Sequence, residues 1–75
     1  MSSNDPQFYT IELERDGKRY KLRKQNGHYL LIQENGTETT QDSIGSARLA
    51  IGSVDDDIRM TVRRGDGTII VETSL

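Results

Sequence analysis

Four dipeptides ending in glycine constrain this chain more than any other feature: Asp16-Gly17, Asn26-Gly27, Asn35-Gly36 and Asp66-Gly67. Asp and Asn tolerate positive φ and Gly adopts it freely, so each pair suits the centre of a type I′ turn, whose twist matches a β-hairpin. A two-residue loop fixes the pairing on either side of it. Around Asp16-Gly17 it sets Leu13 opposite Tyr20 and Ile11 opposite Leu22 on one face, with Glu14 opposite Arg19 and Glu12 opposite Lys21 on the other. Apolar meets apolar, and acid meets base. Around Asn26-Gly27 it sets Leu22 opposite Leu31 and Lys24 opposite Tyr29, extending the same apolar face over three strands. Thr37 to Thr40 add a short polar fourth strand. Around Asp66-Gly67 the loop sets Val62 opposite Val71 and Met60 opposite Thr73, with Ile58 and Ile69 on the same face and Gly65 as a bulge position.

Between these hairpins the period changes. Ile44, Ala47, Ile51 and Val54 recur at helical spacing, after Thr40 or Asp42 as N-cap, and the carboxylates of Asp55 to Asp57 disfavour continuation past Val54. Gly45 and Gly52 flank Leu49 on a side of this helix away from the apolar stripe. A single apolar stripe and a single apolar sheet face make two layers around one core. The expected fold is α+β: an antiparallel β-meander, one α-helix packed on the sheet and a C-terminal β-hairpin. Residues 1–7 are expected to be a flexible N-terminus and residues 8–75 a single domain.

Seventy-five residues bury a thin core, and with no cysteine neither a disulfide nor a thiolate metal site reinforces it. Association with a second chain would. The N-terminal "MSSNDPQ" lacks the basic start and apolar stretch of a signal peptide, and no run of residues is long and apolar enough to span a bilayer. A cytoplasmic location without membrane contact is therefore expected. The net charge is −2, but six basic residues fall between Arg15 and Lys24 against the single acid Asp16.

Little in the chain points to catalysis. Arg64-Gly65-Asp66 matches a tripeptide read by adhesion receptors, yet its place at a strand end and turn start makes it turn chemistry. His28 has no nucleophile partner, and Asp55 to Asp57 lack the alternating ligand spacing of a calcium loop. There is no phosphate loop, nucleophile elbow or zinc spacing. The expectation is a non-catalytic protein with no cofactor and no metal.

Two kinds of partner remain. The sheet face away from the helix carries Leu30 and Ile32, with Ile70 on the outer side of the last hairpin and Leu49 exposed on the helix. Apolar residues on a solvent face argue for a cover, and a second copy provides one, so Leu30, Ile32, Leu49 and Ile70 are the candidate contacts of a homodimer. The alternative is a nucleic-acid-binding domain using the basic hairpin through Arg19, Lys21, Arg23 and Lys24. Three antiparallel strands followed by a helix resemble the plant AP2 and phage-integrase arm-binding domains. Docking on a host or phage enzyme is a third possibility compatible with the size.

The stretches "YKLRKQNG", residues 20–27, and "ARLAIGSV", residues 47–54, resemble the YegP-like family of small prokaryotic proteins. Tyr20, Leu22, Asn26 and Gly27 match its aromatic-x-Leu strand running into Asn-Gly, and Ala47, Ile51, Ser53 and Val54 match its helix. This likeness covers about half the chain. It implies a β-rich module with one helix, often a tight dimer, from a prokaryote or phage, and it brings no catalytic residue. The final hairpin instead resembles the end of another family of small prokaryotic proteins.

Overall fold

The computed structural model describes residues 9–75, and the expectation for residues 1–7 lies outside them. Strands β1 (Tyr9–Arg15), β2 (Lys18–Gln25), β3 (His28–Ile32) and β4 (Glu38–Gln41) lead into helix α1 (Ile44–Ile51), followed by β5 (Arg59–Arg64) and β6 (Ile69–Ser74). All six strands form one antiparallel sheet in the order β4-β3-β2-β1-β5-β6. The fold is thus the expected α+β meander with one helix and a C-terminal strand pair. After β4 the chain stands at one edge and must return across three strands to reach the free side of β1. Helix α1 makes that return, and so comes to lie on the sheet face.

The first two turns follow the two-residue arithmetic. Asp16 and Gly17 have φ of 51° and 80°, and Asn26 and Gly27 have φ of 46° and 85°, both type I′. The expected registers around them hold residue for residue. The other two turns differ. Only the glycine has positive φ in each, and Gly36 N–H donates to Gln33 O, as Gly67 N–H does to Arg64 O, both at 2.9 Å. These are three-residue loops, closed by Gln33 N–H to Thr37 O and by Arg64 N–H to Thr68 O. Asn35 Oδ1 and Asp66 Oδ1 each accept the N–H two residues on, at 2.9 Å. That local acceptor stabilises the wider turn.

A three-residue loop shifts the β5–β6 register by one residue, yet Val62 still faces Val71 and Met60 still faces Thr73. The shift is undone inside the ladder, where Arg63 pairs with Ile69 next to the Val62–Val71 pair and leaves Ile70 as the extra residue. The bulge is therefore at Ile70 and not at Gly65. Ile69 consequently pairs at the Arg63 position, which alternates with Val62, and is 48% exposed rather than sharing the face of Val62. The fourth strand begins one residue later than expected, at Glu38.

The helix differs at both ends. Ser43 is the N-cap, extended at φ −154°, its Oγ accepting Ser46 N–H at 3.0 Å, because Thr40 is held in β4 opposite Leu30. The helix stops at Ile51, so Val54 lies beyond it and is 77% exposed. Gly52 follows as C-cap, its N–H donating to Arg48 O at 3.2 Å. Ala47 and Ile51 meet Leu13, Leu22, Leu31 and Ile58 in the core, with Ile11, Tyr20, Tyr29, Ile44 and Met60 around it. Full burial of a Leu or Ile contributes roughly 1.5–3 kcal/mol, and α1 supplies it mainly over the β3 and β4 side.

The partner of the C-terminal hairpin is the free edge of β1. There Ile11 faces Val62, Leu13 faces Met60 and Glu14 faces Arg59, so the apolar face continues across the junction. Beyond β5 the helix offers little cover, and every residue of β6 is exposed.

Candidate functional site

The face of the sheet opposite α1 holds most of the residues singled out from the sequence. Arg19, Lys21 and Arg23 alternate along β2 and face Glu14, Ile32 and Leu30 on the neighbouring strands, with Lys21 also opposite Glu12. Arg19 and Lys21 thus sit in a field already balanced by acids. Glu14 stands between Arg19 and Arg59, and Arg59 reaches Glu72 of β6 at 3.6 Å. Exposed pairs of this kind contribute little to stability and leave no strong net charge behind. Lys24 lies on the other face, level with Tyr29.

Of the four apolar candidates, Leu30 and Ile32 are half-buried on β3, Leu49 is 61% exposed on the helix and Ile70 is 38% exposed on β6. They do not form one patch. Three strands separate β3 from β6, and Leu49 belongs to the helix layer.

The apolar surface that does cohere is on β6. Ile69, Ile70 and Val71 are consecutive and 48%, 38% and 42% exposed, on a strand whose far side has no neighbour in the sheet among the described residues. Backbone N–H and C=O groups along that side are open to pairing. The opposite edge, β4, is the four-residue ETTQ, short and polar. One edge is thus blunted in the usual way and the other is not.

A second cluster forms where β1 begins. Tyr9 faces Arg64 on the helix side of the sheet and Thr10 faces Arg63 on the other side, while the β1–β2 ladder ends at the Ile11–Leu22 pair and β2 runs on through Arg23 and Lys24. A groove of about 620 Å³ there is lined by Tyr9, Thr10, Ile11, Arg23, Lys24, Tyr29 and Val62. A smaller one on the outer face shares Tyr9, Thr10 and Arg23. Arg23 and Lys24 were legible as basic residues, whereas Tyr9 and Arg64 join them through the β1–β5 pairing, which no turn signal announces.

The acidic stretch after the helix is structural. Asp56 accepts Ser53 N–H at 2.7 Å and lies 3.2 Å from Arg15 Nε, a charge contact without the alignment of a hydrogen bond. The Ser53 N–H and then the Arg15 charge hold its carboxyl below the usual aspartate range, against some desolvation. Arg48 closes the loop from the helix, donating to Ser53 O at 2.9 Å and Asp56 O at 2.8 Å. Asp66 is likewise lowered, chiefly by the Thr68 N–H, so the carboxylate of Arg64-Gly65-Asp66 serves its own turn. Among the described residues no three His, Cys, Asp or Glu side chains converge as a metal site, and no helix is long and apolar enough to cross a membrane. Comparisons with protein-family models, with curated proteins and with solved structures returned no match.

Proposed function

We propose that this chain is a small non-catalytic interaction module that pairs with a second copy of itself through β6. The observation that carries the reading is the edge itself: six exposed residues, three of them consecutive large aliphatics, with one side unpaired among the described residues. An edge of this composition invites strand addition. A second copy fits because two identical strands related by a two-fold axis pair antiparallel, matching a sheet that is antiparallel throughout. Pairing brings the Ile69 to Val71 segments of two chains together and continues the sheet. It also enlarges a core that 75 residues build only thinly. The likeness to YegP-like proteins, often tight dimers, agrees with this. We place the protein in the cytoplasm of a prokaryote or phage host, in keeping with its lack of cysteine and that likeness.

Light scattering across protein concentration, at low and high salt, tests the reading. The dimer is expected to persist in high salt, since strand pairing and apolar contact are not screened as surface charges are. Replacing Ile69 and Ile70 together by Lys should yield a folded monomer, because both residues are exposed in the single chain. The pair Leu30→Thr and Ile32→Thr should leave the dimer intact. A monomeric parent protein, or a dimer that ignores the lysines and yields to the threonines, would reject the β6 interface.

A further inference from the structure

The charge of this molecule is unevenly placed along its strands, and that unevenness bears on a second binding activity. Over most of the outer face acids and bases alternate. At the end where β1 begins they do not. Arg23 and Lys24 line the groove at that end and Arg64 pairs with Tyr9 on the same face, with no carboxylate at their positions on β5, β1, β2 or β3. Arg64 also feels the charge of Asp66, while Arg63 alternates to the opposite face, level with Ile69 of β6, and takes no part in the groove. The groove there is built between two aromatic rings, with Tyr9 half-exposed and Tyr29 held by packing against the core.

Cations beside aromatic rings in an open groove make a specific combination. Phosphates pair with the cations while unstacked bases lie on the rings, which is the chemistry that holds single-stranded nucleic acid. Duplex fits less well, since its bases are stacked on one another and a groove reader needs a continuous basic face. The outer face has Glu12 and Glu14 interposed among its bases. We infer that the groove between Tyr9 and Tyr29 binds single-stranded nucleic acid, its backbone held by Arg23 and Lys24, which line the groove, and by Arg64 opposite Tyr9. This site lies on the helix side of the sheet at the end where β1 begins, bordered by Val62 of β5, and does not use the open side of β6.

The probe is a fluorescently labelled oligothymidylate of about 12 nucleotides, within the span one small module covers. It is titrated with the full chain and read by anisotropy. Binding is expected to weaken with salt along a log–log slope of about 2, near 0.7 for each of three phosphates contacted. With no tryptophan in the chain, tyrosine emission reports ring stacking directly, and the unlabelled oligomer should quench it. Tyr9→Ala should weaken binding about tenfold and reduce the quench, as expected for the loss of one stacked base. Arg23→Glu with Lys24→Glu should abolish binding with the circular dichroism spectrum unchanged. Absence of binding at low salt would overturn the proposal. So would duplex binding as tightly as the single strand, or inorganic polyphosphate competing equally in parent and Tyr9→Ala proteins, which would mean that charge alone is recognised. None of these results changes the solution mass, so the fate of this site and that of the β6 interface are read separately.

Discussion

At the scale of single residues, Gly52 shows why a glycine is kept where its backbone does not demand one. Its φ of −172° is extended and open to any residue, but a Cβ would come within 2.8 Å of Asp56 Oδ2 and 2.9 Å of Arg15 Cδ. Gly52→Ala should therefore destabilise by about 1 kcal/mol in urea denaturation, the lower end of overpacking costs, since flexible side-chain ends can yield. The penalty should shrink when Asp56 is also replaced by Ala, because the displaced carboxylate is then absent. Asp56 and Asp66 also set the acid limb of stability. Both carboxyls are held below the ordinary aspartate value by N–H donors present only in the fold. Each thus stabilises the fold above the unfolded pKa of about 3.9, and that stabilisation is lost as pH falls below it through the folded values. Thermal melts from pH 5 downward should show this loss, and Asp56→Asn with Asp66→Asn should flatten it.

At the scale of elements, the helix ends are where local chemistry decides. Ser43 is the working N-cap, so Ser43→Ala should cost about 1 kcal/mol, while Thr40→Ala and Asp42→Ala should cost far less. Equilibrium urea unfolding of the three variants distinguishes them. Read from the sequence, the cap falls at Thr40 or Asp42 and passes over Ser43, because which residue serves depends on where β4 ends, a tertiary matter. The hairpins were legible for a physical reason: alternation of Ile11, Leu13, Tyr20, Leu22 and Leu31 admits one register per turn. At Asp66-Gly67 the same dipeptide serves a wider loop, and the expected Val62–Val71 pairing survives only because Ile70 bulges. Turn composition cannot separate a two-residue loop from a three-residue loop compensated downstream.

At the scale of the whole molecule, the decisive contact is the one between β1 and β5, about fifty residues apart. It makes a single six-stranded sheet, and it defines both candidate surfaces at once. By filling the free edge of β1 it moves the open edge to β6, and by setting Arg64 beside Tyr9 it completes the basic end. Leu30, Ile32, Leu49 and Ile70 looked equivalent as surface aliphatics in the sequence because their separation depends on strand order. The described residues extend 43 × 23 × 21 Å, with the helix over one part of the sheet and β6 uncovered. Covering the exposed strand is what the proposed dimer accomplishes.

Amide hydrogen exchange along β6, followed as protein concentration rises, tests this account most directly. Half of the β6 backbone is already bonded to β5, and those amides should be protected at every concentration. The remaining β6 amides, directed away from β5, should exchange quickly when dilute and become protected as concentration rises, together with the dimer mass. Fast exchange of those outward amides at all concentrations, alongside protected partners facing β5, would contradict the proposed β6 pairing.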